Sequence, residues 1–313
     1  MKAVFYVFSG TGNTRRVCLA AAEAFRAAGA ECEFAEIEEG KTYPDPNGFD
    51  RIVIGYPVHA FNAPRPVFRF LKNLPRRTGE GKVYFIKTSG EPLKLNDGSC
   101  ARVSDLCRKK GYSVCGEFHY VMPYNIIFRH SDGMAARMWQ AVLRRLPADT
   151  SAIWEGRRIA LKKGPFKRAV SFLFRIEHAG MPLIGRGFKA DERCIGCGLC
   201  AEKCPQKNIE MKDGKPVFGK SCTGCLRCSF HCPKDAIRTG ILNGWKVNGS
   251  YSFGGEPASD EEVCRFCRRS YLRYFAEAEK TLPERAEAAA SSVCSRNDEE
   301  FSEESAPAEI GGK

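Results

Sequence analysis

The sequence predicts a doubly wound α/β domain built on a five-stranded parallel sheet, followed by a small α+β domain organised by cysteine. Three observations predict it: five strand-like runs alternate with helix-like runs over the first 122 residues, eight cysteines crowd between 194 and 232, and 313 residues suffice for two domains. Hydrophobic residues at 43% and charged residues at 27% are an ordinary globular balance, so most of the chain is expected to fold.

Residues 3–8 are an apolar run. Thr14 to Ala28 then carries Val17, Ala21, Ala24 and Phe25 at helical spacing and stops at Gly29. Further strands are expected at Glu31–Ile37, Arg51–Gly55, Lys82–Thr88 and Ser113–Met122, with helices at Pro64–Leu74 and Gly98–Lys110. The connection holding Pro44-Asp45-Pro46-Asn47-Gly48 is too rich in turn formers for a full helix, and a degraded one is expected there. Met134–Leu146 reads as a helix, and Phe166–His178 as another within a basic stretch. The domain boundaries follow as 1–150, a helical bridge at 151–189, the cysteine domain at 190–240, a loop and last helix at 241–282, and a disordered tail at 283–313. Ser259-Asp260-Glu261-Glu262 has the capping-box pattern. Val263, Phe266, Cys267, Tyr271, Tyr274 and Phe275 then share one face of the expected last helix.

Cys194-Ile-Gly-Cys197-Gly-Leu-Cys200-Ala-Glu-Lys-Cys204-Pro205 recurs with the same spacing as Cys222-Thr-Gly-Cys225-Leu-Arg-Cys228-Ser-Phe-His-Cys232-Pro233. Each iron of a [4Fe–4S] cubane takes one thiolate. Three cysteines two residues apart wrap three corners, while the fourth, turned away before proline, reaches the other cluster. The spacing therefore predicts Cys194, Cys197, Cys200 and Cys232 on one cluster, and Cys222, Cys225, Cys228 and Cys204 on the second. Gly196 and Gly224 let the chain close around sulfide. Zinc is the alternative, but its sites use four ligands, typically as two CxxC pairs with a longer gap. Over residues 190–240 the chain resembles bacterial two-cluster ferredoxins, and that resemblance implies fast transfer between the clusters.

At the end of the first strand stands Ser9-Gly10-Thr11-Gly12-Asn13-Thr14, directly before a helix. Helix N-terminal N–H groups, three hydroxyls and two glycines make a phosphate cradle. Neither the Gly-Lys-Ser/Thr ending of a nucleoside-triphosphate loop nor a GxGxxG fingerprint is present. A glycine-rich turn with a Ser/Thr cap is the plain alternative. The loop and strand count together resemble the flavodoxin family over residues 1–150. That resemblance implies FMN, with its ring over the carboxyl ends of the middle strands. The ring-flanking loops would then be Tyr56-Pro57-Val58-His59 and Thr88-Ser89-Gly90, with Tyr56, His59 or Phe61 stacking and Pro123-Tyr124-Asn125 at the same edge. The chain has no Trp in the first loop and no Tyr in the second, unlike typical flavodoxins.

The net charge of +12 is concentrated: Arg157, Arg158, Lys162, Lys163, Lys167, Arg168 and Arg175 stand together without an acid, while the last sixteen residues are acidic. This segment reads as a solvated face, a docking surface for an acidic redox protein, or a membrane-surface helix aided by Phe166, Phe172, Leu173 and Phe174. No nucleic-acid fold accompanies it, so nucleic acid is not an expected partner. Cys264-Arg-Phe-Cys267 is a CxxC on the expected last helix and reads as core packing, as do Cys18, Cys32, Cys100, Cys107 and Cys115; His231 is expected to face solvent. Without a recognisable export signal or apolar span, and with cysteines kept as metal ligands, the chain is expected in a reducing cytoplasm with no transmembrane segment. Both halves together resemble the flavodoxin–ferredoxin fusion proteins of anaerobic bacteria. This implies an electron carrier coupling FMN to two [4Fe–4S] clusters. The competing class is a flavin-dependent reductase of a small organic substrate fed by the clusters.

Overall fold

The structure, a computed structural model, describes residues 1–162 and 164–281 of the 313. The expected tail at 283–313, together with Lys163 of the basic segment, lies outside the described residues.

Five strands, β1 (Lys2–Val7), β2 (Glu31–Glu36), β3 (Arg51–Pro57), β4 (Lys82–Ser89) and β5 (Ser113–Val121), form one parallel sheet in the order β2-β1-β3-β4-β5. That order is flavodoxin-like, with the reversal of winding between β1 and β3. The central strands are buried on both faces, as parallel strands between helix layers must be. On one side α1 (Asn13–Ala27) and α4 (Asp132–Trp154) pack over Phe5, Val53, Tyr84 and Phe118. On the other, α2 (Arg65–Asn73) and α3 (Cys100–Lys109) cover Tyr6, Ile54, Tyr56 and Phe85. Between β2 and β3 the degraded helix is a single 3-10 turn at Pro46–Gly48, capped by the Asp45 carboxylate accepting from Asn47 N.

α4 is longer than the sequence suggests, running through Pro147 to Trp154, so the boundary expected at 150 falls inside it. Proline removes one helical hydrogen bond. Burial of Leu146, Thr150 and Ile153 holds the turn, and Thr150 Oγ1 donates to the Leu146 carbonyl. The basic segment holds two helices rather than one: α5 (Pro165–Leu173) and α6 (Ile176–Arg186), broken at Phe174–Arg175.

The cysteine-rich part is α+β. β6 (Lys189–Ala190) pairs antiparallel with β9 (Ile237–Arg238), and β7 (Ile209–Lys212) with β8 (Lys215–Phe218). The β7–β8 turn uses Asp213 and Gly214, both at positive φ, as a two-residue hairpin requires. The four-residue helices α7 (Leu199–Glu202) and α8 (Arg227–Phe230) each carry the third cysteine of a run.

The last helix, α9 (Arg268–Glu279), starts nine residues after the capping-box serine. Glu262 does accept from Ser259 N at 2.7 Å, but Cys267 sits at φ 55° and the helix begins only beyond it. Cys264 and Cys267 therefore precede the helix instead of lying on its face. Tyr271, Tyr274 and Phe275 pack on Met134 and Met138 of α4, so the chain end is tied to the first domain. No described helix is long and apolar enough to cross a membrane.

Candidate functional site

The eight cysteines stand around two small cavities. One is lined by Cys194, Cys197, Cys200 and Cys232; the other by Cys204, Cys222, Cys225 and Cys228. The fourth cysteine of each run thus sits with the first three of the other. Cys204 lies close enough to Cys222, Cys225 and Cys228 to act electrostatically on each. Among the described residues, no three His, Cys, Asp or Glu side chains converge on a point that one metal ion could fill. The thiols surround a volume, which is what a cubane needs.

The two runs are alike in backbone as well as in spacing. Gly196 and Gly224 have φ of 69° and 68°; Gly198 and Leu226 follow at 78° and 58°; Lys207 and Asp235 take 45° and 43°. After each fourth cysteine an amide donates to its sulfur, Asn208 N to Cys204 at 3.4 Å and Ala236 N to Cys232 at 3.2 Å. Burial pushes the free thiols up, Cys200 to about 11 and Cys222 to about 12. Thiolate ligation there releases protons.

The loop Ser9–Asn13 lines a third cavity, of about 640 Å³, within the range of cofactor sites. Three features fit an anion. Ser9 Oγ is buried with no hydrogen-bond partner. Gly12, at φ 95°, precedes α1 without a side-chain cap. Arg15 and Arg16 on α1 and Lys203 and Arg227 from the cysteine runs line the same space. Thr14 Oγ1 is instead committed to Thr88 Oγ1 at 2.7 Å, and Asn13 Nδ2 donates to the Pro123 carbonyl at 2.8 Å. Phe230, His231, Tyr251 and Phe253 complete the wall. His231 is half-buried with its ring 5.3 Å from Phe230, not out in solvent, and burial lowers it to about 4.

The ring-flanking loops do not line this cavity. Tyr56 is sealed in the sheet core, packed against Phe85. Pro57 ends β3, and Val58 N donates to the Thr88 carbonyl at 2.7 Å, so the two loops stay side by side. His59 enters a tight turn to Asn62 with Ala60 and Phe61 at positive φ, and lies against the Thr223 backbone. Phe61 packs on Phe174. Ser89 Oγ donates to the Glu91 carbonyl, and the Tyr124 ring fills the space where Gly90 lacks a side chain. The strip above Gly90 is thus covered by the 123–125 segment, and Asn125 Nδ2 reaches on to the Cys225 carbonyl at 3.2 Å.

What the sequence did not signal is how tightly the second cysteine run seats on the first domain. A Cβ on Gly10 would lie 2.8 Å from the Cys225 carbonyl oxygen, so this glycine makes room for the cysteine loop. Cys225 is buried in the same apolar cluster as Phe8 and Tyr56. Arg227 donates to the carbonyls of Gly10 at 2.9 Å, Ser9 at 2.5 Å and Lys203 at 3.1 Å, and to the Glu38 carboxylate at 2.8 Å. An arginine between two cysteines was the only trace of this in the sequence.

Residues 193–236 match the family model of the 4Fe-4S dicluster domain. No curated protein matches the chain. Similar solved structures include a flavodoxin from Archaea (13% identity, covering 39% of this chain and 85% of that one, TM-score 0.32). A short-chain flavodoxin associated with a non-canonical PDU bacterial microcompartment is 14% identical, with 50% and 97% covered and a TM-score of 0.38. Two-electron reduced Megasphaera elsdenii flavodoxin is 24% identical, with 38% and 85% covered and a TM-score of 0.33.

Proposed function

We propose that this fusion of a flavodoxin-like domain with a 4Fe–4S dicluster domain, an electron-transfer protein by its iron–sulfur half, couples FMN to two [4Fe–4S] clusters within one chain. The observation that carries the reading is the contact of Gly10 with Cys225, which sets the phosphate cradle against a cluster loop. When bound, FMN supplies one- or two-electron chemistry and each cluster supplies one electron.

The chain's own residues have the following roles in this reading. Cys194, Cys197, Cys200 and Cys232 hold one cluster and Cys204, Cys222, Cys225 and Cys228 the other. Ser9 offers its unpartnered hydroxyl, and the residues after Gly12 offer helix N-terminal amides, to the FMN phosphate. Arg227 fixes the Ser9 and Gly10 carbonyls, which orients the cradle toward the second quartet. Tyr124 covers Gly90 beside the 88–90 loop, and Phe230, Tyr251 and Phe253 would supply the aromatic wall for a ligand held in the cavity.

Anaerobic purification with iron, acid-labile sulfide and flavin assays tests this. The expected content is about eight irons and eight sulfides with about one FMN per chain. Protein that takes up no flavin after FMN addition removes the FMN half of the reading, and about four irons removes one cluster. Saturable turnover of a small oxidant, lost with FMN, would favour the reductase over the carrier.

A further inference from the structure

Helices α5 and α6 turn their apolar residues outward. Over Pro165–Leu173 and Ile176–Arg186 only Ser171, Met181 and Gly185 are buried. Phe166 is 71% exposed, Phe172 67%, Leu173 71%, Ile176 77% and Leu183 67%. Phe166 and Leu173 are seven residues apart on α5, and so are Ile176 and Leu183 on α6, so each pair shares one helical face. Isolated exposed apolar side chains are ordinary, but five of this size on two consecutive short helices form a patch.

The surrounding charge is of one sign. Residues 157–189 contain nine lysines and arginines and a single acid, Glu177. That acid turns inward toward His59 and His178. Asp97, Asp105 and Glu155 answer Lys167, Arg168 and Arg157, which leaves the rest of the segment basic. An apolar stripe bordered by lysine and arginine is the pattern of helices that lie in a lipid interface.

We propose that α5–α6 docks on an anionic bilayer surface, with the stripe entering the acyl boundary and the basic residues meeting headgroup phosphates. The inner face of α6 gives the docking a redox meaning. A Cβ on Gly185 would lie 2.6 Å from Cys222 Sγ, and Met181 packs on Gly224, so α6 is the cover of the second cysteine quartet. Docking sets that quartet about one helix diameter, roughly 10 Å, beneath the membrane surface. The proposal is independent of whether FMN binds.

Vesicle flotation of the full, cluster-loaded chain under anaerobic conditions tests it. Phosphatidylcholine vesicles are compared with vesicles in which a third of the lipid is phosphatidylglycerol. The expected result is flotation with the anionic vesicles only, weakened by salt, and roughly tenfold weaker for the double variant Leu173→Ser, Ile176→Ser. A charge variant, Lys162→Glu with Lys189→Glu, should also lose vesicle binding, and unchanged visible cluster absorption reports that each variant is folded and loaded. Equal flotation with both vesicle types overturns the anionic assignment. Absence of flotation, or flotation unchanged in both folded variants, overturns the proposal and assigns the patch to a protein partner.

Discussion

The two cysteine runs share spacing and backbone angles but not surroundings. In the first, Cys197 is exposed and Gly196 abuts only the Gly214 carbonyl of the adjacent hairpin. In the second, Cys225 is buried in the core of the flavodoxin-like domain, Gly10 sits below it and α6 lies above Cys222. Two copies of one motif have thus become an outer and an inner site. The inner one is part of the first domain's packing, and the outer one presents Cys197 to solvent.

The largest test of that difference replaces one cysteine in each run. Cys197→Ser and Cys225→Ser should each reduce iron from about eight to about four per chain if two four-iron sites exist. Only Cys225→Ser should also destabilise the flavodoxin-like domain, by about 2 kcal/mol, because a serine hydroxyl is placed among apolar side chains. Thermal unfolding followed by far-UV circular dichroism checks this, and equal losses of Tm in the two variants would break the inner–outer distinction.

Glycines come next. Gly185→Val puts a branched side chain against Cys222, and Gly10→Ala puts a methyl 2.8 Å from the Cys225 carbonyl. Both should lower second-cluster occupancy while leaving the first cluster intact, seen as about half the iron and one remaining paramagnetic signal after reduction. Gly196→Ala, at φ 69°, should act in the opposite sense and injure only the first site.

Arg227 gives a smaller effect, with a readout that mere packing does not move. It sits between Cys225 and Cys228 and binds the Ser9 and Gly10 carbonyls. Arg227→Gln removes a positive charge beside the second quartet, which should lower that cluster's potential on the order of tens of mV. The same change should weaken FMN binding several-fold through the cradle, while Arg227→Lys restores the potential more than the affinity, because a lysine keeps the charge but not the fork of donors. Redox titration and flavin fluorescence separate the two.

Which parts of this were legible beforehand follows from the range of the interactions. The strands, the phosphate loop and the cysteine quartets are set by local periodicity and by spacing along the chain, and these are written in the sequence. The covering of Gly90 by Tyr124, the inward seat of Cys225 and the role of Gly10 arise from segments over a hundred residues apart in two of the three cases. Gly10 looked like an anion-binding glycine because that explanation was local, whereas its neighbour is the Cys225 carbonyl. The break of the basic helix at Phe174–Arg175 and the late start of α9 escaped for another reason. Helical periodicity carries across a short break, and at Cys267 a single residue at positive φ resets the chain without any glycine to announce it.

The last effect concerns the cover of the inner site. Glu177 on α6 has one carboxylate oxygen buried without a hydrogen bond, 3.7 Å from His178 Nε2, and the other 4.0 Å from His59 Nδ1. Burial raises it from 4.5 to about 7, and burial also keeps His59 and His178 neutral by lowering each to about 4. Because the folded carboxyl holds its proton more tightly than the unfolded one, the native state binds more protons between pH 4.5 and 7. Stability contributed by this group therefore falls as pH rises through that window and is lower, on the order of 3 kcal/mol, above it. Glu177→Gln should remove that slope and stabilise the protein at pH 8 while changing little at pH 4.5. The two histidines, lowered from 6.5 to about 4, contribute a slope of opposite sign between those values, so Glu177 is read from the difference between variant and parent, and most cleanly above pH 6.5. Urea unfolding across pH compares the variant with the parent chain. A slope that survives in the Glu177→Gln chain would mean that the pH dependence belongs to other groups and not to the α6 cover.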